Sequence, residues 1–434
     1  MSFKFKIMHT TDIDISLEEI TKIEGAASCD IKVRNGEVTE CRFAITEMRR
    51  FYEEAIRGKA AAAVPGIVAR VCGTCSNAHL LASVKAVESA MGIPVSPNVS
   101  RLRELLNYGL IIRDHGLHLY IFALPDLFGK ESLLAFDENE PSEHQFLHDC
   151  FDVKEAGNRL GIAVGGRSVH APFVRLGGFS KFPTENELIA LIPKLREARP
   201  MILRLLEVFA ARSPVLGHDI NTLALEGLTF LNGDLTPSAG SRIAPSEYRK
   251  RVTPRDIPHS QATGYLLDGK PVMVGALARL NANRSALHPK TRADASSYLA
   301  RFPSRNIFDN NIAQAIEMLH AIDNSIGIIE SYRAEPATGT PKTAAGTGYG
   351  IIEAPRGTLY HEIETAADGT VIRGTIIVPT GLNQIGIEMA IRDYVNTHLG
   401  DTKDSLSLGI ETVVRAYDPC MSCATHFLKL RIDR

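Results

Sequence analysis

Two short segments near opposite ends of the chain carry the same arrangement of thiols. The first is "ARVCGTCSNAH", the second is "DPCMSCATH", and their cysteines are Cys72, Cys75, Cys420 and Cys423. Thiolates at Cys-x-x-Cys spacing can chelate one cation from a turn. Four of them suit a soft or borderline metal such as zinc, nickel or the iron of a sulfur cluster. The chemistry therefore depends on whether the two pairs meet.

Spacing alone leaves four interpretations open. A structural zinc site would need only the four thiolates, but zinc ribbons usually keep their pairs ~15–20 residues apart, and hundreds of residues intervene here. A thiol redox motif needs one pair, and neither pair lies in a thioredoxin-like βαβ pattern. A catalytic metal centre assembled from both ends of the chain is the third interpretation, and no shared site is the fourth.

Composition and charge exclude several other classes of protein. The chain has 434 residues, a net charge of −2 and seven cysteines. An odd number of cysteines at this density is not typical of a disulfide framework, and the remaining three, Cys29, Cys41 and Cys150, are expected to be small buried side chains. The charge gives no basis for nucleic-acid binding. No run approaches the ~20 apolar residues of a membrane span, and the first residues lack the apolar core of a signal peptide, which predicts a cytoplasmic protein.

The elements that must position the cysteines are mainly helical. Two-residue turns at Asn35-Gly36 and Asp368-Gly369 each separate alternating apolar and polar residues, a pattern typical of β-hairpins. Helical periodicity covers 100–124, 185–212, 310–335 and 383–399. Ser100 is the expected N-cap of the first, and Pro193 and Pro200 must start, kink or split the second. The prediction is an α+β fold, a mainly helical core bundle with small peripheral antiparallel hairpins, in a single interwoven domain over 1–434.

The residues around the cysteine pairs resemble the large subunit of the nickel–iron hydrogenases, nearly end to end. Residues 70–79 match that family's Arg-x-Cys-Gly-x-Cys-x-x-x-His, and 418–426 match its Asp-Pro-Cys-x-x-Cys-x-x-His. Other matching segments follow in family order: "ITKIEG", "RFYEEAIRGK", "DHGLHLYIFALPD", "GGRSVHAPFVRLGGFSKFP", "VGALARLNAN", "EAPRGTLYH" and "VPTGLN". The chain is most similar to the cytoplasmic branch, which couples hydrogen to nicotinamide, to a deazaflavin or to heterodisulfide reductase.

The resemblance implies reversible heterolytic H2 cleavage at a buried nickel–iron centre. All four cysteines would hold nickel, and Cys75 and Cys423 would also bridge to an iron that carries cyanide and carbon monoxide. Bridging two metals requires sulfur with spare lone pairs, and the diatomic ligands require hydrogen-bond donors in a dry pocket. His79 and His115 would hydrogen-bond near the sulfurs or to the backbone, and a plain core role is almost as good an interpretation for each.

The resemblance also assigns the polar groups around the iron ligands. Arg356 and Thr380 would contact cyanide, with Pro355 and Pro379 beside them. The Arg356 guanidinium would lie over the open coordination position. A buried guanidinium needs a carboxylate partner, and Asp114 matches that partner.

Proton transfer is assigned to Glu24, which matches the family glutamate that takes a proton from the nickel thiolate of Cys420. Desolvation raises the pKa of such a carboxyl, so it can exchange protons near neutral pH. The family usually reads Glu-Gly-His, whereas this chain has Ala26 at the third position. The onward proton path is therefore expected to differ.

A magnesium or similar hard cation is also implied, with Glu53, the carbonyl of Ile376 and His426 as its protein ligands. One carboxylate, one carbonyl and several waters form a normal magnesium set. Family members are commonly cut after the last histidine once nickel is bound. Residues 427–434 are therefore predicted to be a maturation tail, and a short edge strand is the structural alternative.

The implied partners are an iron–sulfur small subunit, further electron-transfer subunits, a maturation protease and nickel-insertion proteins. Two other functions compete. A non-catalytic scaffold stapled by metal has no use for Arg356, Asp114 and Glu24 in their family contexts. The quinone-site subunit of respiratory complex I shares this ancestry, but it lacks the cysteine pairs.

Overall fold

The computed structural model describes residues 12–334 and 342–425. Its α-helices are Tyr52–Ile56, Val64–Val68, Ser76–Met91, Pro97–Gly116, Leu124–Leu127, Pro141–Gly165, Glu185–Ile189, Ile192–Arg212, Tyr248–Arg251, Ala276–Asn283, Pro289–Asp294, Ser296–Leu299, Asp309–Ser331, Pro379–Thr397, Lys403–Ala416 and Met421–Ala424. A π-helical segment spans Leu117–Ala123, and 3-10 turns span Ala61–Ala63, Leu133–Ala135, Pro245–Glu247 and Arg284–Ala286. The strands are Ile13–Leu17, Ala27–Arg34, Glu37–Ile45, Val174–Arg175, Gly178–Phe179, Asn221–Leu225, Leu235–Pro237, Val252–Arg255, Gly264–Leu267, Val272–Met273, Gly346–Ala354, Gly357–Thr365 and Val371–Ile377.

The predicted α+β class is confirmed: long helices form the core and small, mostly antiparallel sheets surround it. The Pro97–Gly116 helix packs against both Pro141–Gly165 and Asp309–Ser331. The residues of Pro97–Gly116 are buried almost all round, as expected of a helix at the centre of the core. Among the described residues, no helix is long and apolar enough to cross a membrane.

Two details of the predicted helices change. The helix predicted from Ser100 begins one turn earlier, at Pro97, because the Ser96 hydroxyl accepts the Val99 amide at 3.2 Å and proline fits the first turn. In the 185–212 segment, Pro193 lies in the first turn of Ile192–Arg212, and Pro200 remains inside that helix.

Both predicted hairpins are confirmed. Ala27–Arg34 pairs with Glu37–Ile45 across Asn35-Gly36, and Gly357–Thr365 pairs with Val371–Ile377 across the turn at Asp368-Gly369. A third strand, Gly346–Ala354, pairs with Gly357–Thr365 in the same sheet. The tight turn between these two strands is Pro355-Arg356, so the sheet carries Arg356 at its tip.

That sheet lies unusually close to the Ser76–Met91 helix. Every second residue at the start of Gly346–Ala354 is glycine, and a methyl group on any of them would overlap the helix backbone. The glycines are Gly346, Gly348 and Gly350, and they face Ala90, Ala86 and Ala82. The absence of side chains lets the strand and the helix approach closely. The helix follows the first cysteine pair, so this contact sets the distance between that pair and the tip of the sheet.

Candidate active site

The four paired cysteines form one buried cluster. The Sγ atoms of Cys72 and Cys420 lie 3.3 Å apart, and those of Cys75 and Cys423 lie 3.0 Å apart. All four sulfurs lie within 4.8 Å of one another, and none is in a disulfide. Of the residues that the structure describes, no other group of three or more histidine, cysteine and acidic side chains is close enough to share a metal ion.

Local backbone structure presents each pair. Cys75 immediately precedes the Ser76–Met91 helix, and Cys420 immediately precedes the short Met421–Ala424 helix. An isolated β-bridge joins this second segment to the one that carries Glu24, because the Met421 amide donates to the Glu24 carbonyl at 3.0 Å. Cys420 is therefore tied to the segment that carries Glu24.

The charges of the cluster favour a cation. Hydrogen bonds from the other thiols hold the pKa of Cys72 well below its usual value, whereas burial raises the pKa of Cys420 and of Cys423 well above it. Thiolates packed this closely repel one another, so the four cannot all ionise without compensation. A cation held between the sulfurs removes that repulsion and also allows the deprotonation that metal binding requires.

Arg356 lies beside the cluster between two carboxylates. Its Nη1 donates to Asp114 Oδ2 at 2.6 Å, and its Nε lies 3.2 Å from Asp418 Oδ1. Burial alone would lower the pKa of Arg356, but the two carboxylates raise it well above its usual value, so the guanidinium stays charged. Gln314 supports the second partner by donating to Asp418 Oδ2 at 2.9 Å.

A small cavity adjoins the sulfurs on one side. It is lined by Cys75, His79, Ala354, Arg356, Leu359, Pro379, Thr380, Cys420 and Cys423. The buried Nη2 of Arg356 has no hydrogen-bond partner among the described residues. A buried donor without a partner costs free energy, so it points to an acceptor that a bound group would bring. Three of the four cysteines line this cavity, and the two predicted to bridge to iron, Cys75 and Cys423, are among them, so the residues fit a nickel–iron group.

Thr380 lies at the same cavity and is fixed by the second cysteine pair. Its Oγ1 accepts the Cys420 amide at 2.8 Å. The hydroxyl is therefore used as an acceptor, and its own proton is left to donate elsewhere. Pro379 starts the Pro379–Thr397 helix next to it and has no amide hydrogen.

Glu24 contacts the cluster from the opposite segment. Its Oε2 lies 3.1 Å from the Cys420 Sγ and accepts the Ser422 amide at 3.1 Å. Burial raises the pKa of this carboxyl, against the lowering effect of those hydrogen bonds. The carboxyl group is within proton-transfer distance of one sulfur.

The histidines divide between the cluster and the core. His79 Nε2 lies 3.4 Å from Cys423 Sγ, and its Nδ1 lies 3.2 Å from the Nε2 of His361. His115 does not reach the sulfurs. Its Nε2 instead contacts Glu317 Oε2 at 2.9 Å.

The expected magnesium ligands are only partly described. Glu53 Oε1 accepts the amide of Ile376 at 2.7 Å, so these two residues meet. His426 and the tail 427–434 lie outside the described residues. The carbonyl of Thr425, the last described residue, accepts the amide of Arg50 at 2.7 Å. Arg50 lies on the segment that leads to Glu53.

Comparison with known proteins decides the family. A family model described as nickel-dependent hydrogenase matches residues 50–156 and 267–426. The alpha chain of sulfhydrogenase 2 from Pyrococcus furiosus is 33% identical over 96% of this chain and 100% of its own length. The chain belongs to the nickel-dependent hydrogenase family. This hydrogenase chain is the catalytic large subunit of a nickel–iron enzyme, and its four-cysteine cluster fits a nickel–iron site.

Two further comparisons agree. One chain of the F420-non-reducing hydrogenase of Methanothermobacter marburgensis is 28% identical, and the match covers 95% of each of the two chains. The crystal structure of an NAD+-reducing [NiFe]-hydrogenase in the H2-reduced state superposes with a TM-score of 0.84 at 25% identity, covering 95% of this hydrogenase and 99% of that chain. The scaffold and the complex I-like alternatives are not favoured by these results.

Several residues of the site are not identified by their sequence context. Asp418 is one position of the second cysteine motif, and the motif does not indicate that its carboxylate binds Arg356. The sequence around His361 is typical of an ordinary core histidine. Arg279, Glu317 and Glu353 form a buried network behind Arg356. Two of these three lie inside the quoted motifs "VGALARLNAN" and "EAPRGTLYH", which were a usable signal, whereas Glu317 lies in an unremarkable helical pattern.

Proposed function

We propose that this subunit cleaves H2 heterolytically and reversibly, and that it passes the two electrons to an iron–sulfur small subunit. The observation that carries the proposal is the convergence of Cys72, Cys75, Cys420 and Cys423 in one buried cluster. Beside it lies a cavity lined by three of them and by Arg356, whose Nη2 has no hydrogen-bond partner among the described residues. The bound nickel–iron group, with cyanide and carbon monoxide on iron, would supply the redox chemistry and polarise H2.

The protein supplies the ligands and the surroundings. All four thiolates would hold nickel, and Cys75 and Cys423 would bridge to iron. Arg356 and Thr380 would donate hydrogen bonds to the diatomic ligands, with Pro355 and Pro379 beside them. Asp114 would hold the Arg356 guanidinium in place, and His79 would hold the sulfur of Cys423. Because these groups are buried, water is excluded and the fixed charges act strongly.

Glu24 is the proposed first proton acceptor. The Cys420 sulfur is the donor, 3.1 Å from Glu24 Oε2. Since burial raises the pKa of this carboxyl, it holds a proton nearer to neutral pH than an exposed glutamate does. Cleavage of one H2 yields two protons and two electrons, so the carboxyl must release each proton before it can accept another.

The electrons need a further carrier. Within 12–334 and 342–425, the paired cysteines form the single candidate metal cluster, and the other three cysteines are buried elsewhere. A small subunit with iron–sulfur clusters would therefore dock against this chain, and further electron-transfer subunits would follow.

We place the enzyme in the cytoplasm, in the branch that reduces soluble cofactors. Its assembly would require nickel-insertion proteins and a maturation protease. Glu53, the Ile376 carbonyl and His426 would hold a magnesium ion.

The test combines metal analysis with infrared spectroscopy of the purified complex. Nickel and iron are expected, together with infrared bands from cyanide and carbon monoxide. Cys420→Ser should abolish nickel binding and H2 uptake, because serine is a poor ligand for a soft metal. The matched control is Cys150→Ser, a buried cysteine outside the cluster, which should retain both. A fully matured wild-type complex without the infrared bands would refute the proposal.

A further inference from the structure

Behind the site, one fully buried guanidinium uses all its donors. Arg279 is 0% exposed. Its Nε and Nη2 donate to Glu317 at 2.7 and 2.6 Å, and its Nη1 donates to Glu353 Oε2 at 3.0 Å. The same Nη1 and Nη2 donate to the carbonyls of Ala354 and Pro355, both at 3.0 Å. Arg279 thus binds two carboxylates and two successive backbone carbonyls.

Those two carbonyls belong to the turn that carries Arg356. The turn also packs against a second segment of the chain. Gly357 (φ 126°) lies so close to Val274 and Gly275 that a methyl group on Gly357 would overlap them. The turn is therefore seated on the start of the Ala276–Asn283 helix. Its backbone carbonyls point toward Arg279, while the Arg356 side chain reaches the sulfur cluster.

The same network reaches the partner of Arg356. Glu317 Oε2, which binds Arg279, also contacts His115 Nε2 at 2.9 Å. His115 follows Asp114 on the Pro97–Gly116 helix, and Asp114 Oδ2 binds Arg356 at 2.6 Å. One buried network thus fixes the backbone on both sides of the Arg356–Asp114 ion pair.

We propose that Arg279 is a positioning residue for H2 cleavage, and that it holds the Ala354-Pro355 turn so that the Arg356 guanidinium faces the metal cavity. The inference rests on the function proposed above for Arg356. Buried ion networks add little stability over well-packed apolar side chains, so a role in geometry explains this network better than a role in stability alone. Lysine could not replace the arginine, because one ammonium group lacks the planar fork that reaches four acceptors.

The test compares the wild-type complex, loaded with nickel and iron, with the Arg279→Lys, Arg356→Lys and double-variant complexes. We expect Arg279→Lys to keep nickel and iron but to lower kcat ~10–100-fold, the scale of a misplacement of about 1 Å, with little change in KM for H2. The cyanide infrared bands should shift in the same direction as in Arg356→Lys. The double variant should have a kcat within about 2-fold of Arg356→Lys alone, because residues that act as one unit are not additive.

The matched control is Arg103→Lys. Arg103 is buried and bidentate to Glu88 at 2.7 and 2.6 Å, but it lies outside the site. This control should leave the infrared bands unchanged. If Arg279→Lys does not fold, Glu317→Gln replaces it, and a smaller band shift in the same direction is expected.

The outcomes separate the two proposals. Unshifted bands and normal kcat in Arg279→Lys or in Glu317→Gln, with Arg356→Lys impaired, overturn the positioning role and leave the proposed function intact. Fully additive losses in the double variant also overturn it. Normal turnover in Arg356→Lys would instead contradict the role proposed above for Arg356, and a wild-type complex that takes up no H2 would contradict the proposed function itself.

Discussion

At the scale of single residues, the proposed proton transfer depends on one side chain, Glu24. Its carboxyl contacts the sulfur of Cys420 and accepts the amide of Ser422, which lies on the same segment as that sulfur. Its neighbour departs from the family pattern, since Ala26 replaces the usual histidine. Glu24 is the first proton acceptor that we propose, and we expect the proton path beyond it to differ from that of the family.

Glu24→Gln should retain the metals but lower the exchange between H2 and solvent deuterons ~100-fold or more, because an amide keeps the shape and cannot carry the proton. The exchange can be followed by mass spectrometry of the gas phase. Glu19→Gln, at an exposed position in the same segment, should exchange at the wild-type rate. Equal rates in the two variants would remove Glu24 from the proposed mechanism.

At the scale of elements, the contact between the Gly346–Ala354 strand and the Ser76–Met91 helix sets the geometry of the site. The helix begins directly after Cys75, and the strand ends directly before the Pro355-Arg356 turn. Glycines facing alanines allow the two backbones to meet, and a larger side chain would push the elements apart.

Gly350→Ala should therefore destabilise the chain by about 3 kcal/mol, because its methyl group would overlap the Ala82 carbonyl. The variant should also bind less nickel, since the first cysteine pair moves with the helix. Denaturant unfolding and metal analysis measure the two effects. Gly327→Ala is the matched control: it lies exposed in the Asp309–Ser331 helix with open space around it. It should be neutral or stabilising by up to ~1 kcal/mol.

For the molecule as a whole, the metal cluster joins positions 348 residues apart, Cys72 and Cys420. The Glu24–Met421 backbone hydrogen bond and the packed core already bring the ends together. A bound metal adds a cross-link that removes conformational freedom from the unfolded chain.

Removing nickel and iron should therefore lower Tm. In a chain-entropy model a cross-link of this span stabilises by about 6 kcal/mol, which corresponds to a shift of about 6 °C for a chain of this size. Calorimetry of the metal-free and loaded chains measures the shift. Cys420→Ser should show no such difference, and an equal Tm for loaded and metal-free wild type would contradict the cross-link.

The tail also concerns the whole molecule. Residues 427–434 are predicted to be removed during maturation, so mass spectrometry of the active enzyme should find a C-terminus at His426. Active protein that retains Arg434 would refute this.

Local features were predictable because they depend on neighbouring residues. Both hairpins follow from their turn residues, and Pro193 marks a helix start. The N-cap was misplaced by four residues, at Ser100 instead of Ser96, because Pro97 makes an earlier start favourable. The periodicity of apolar residues does not indicate which of the two serines begins the helix.

The amino-acid sequence by itself determined the donor set: four thiols, in two pairs, within motifs that match the nickel-dependent hydrogenase family. The tertiary structure decided which other groups face them. Glu24 reaches Cys420 across 396 positions, and His361 reaches His79 across 282. Arg279 contacts the turn that carries Arg356 only because that turn packs against the Ala276–Asn283 helix. Ligand type is a property of single residues, whereas a hydrogen bond between distant segments exists only once the core has packed around both.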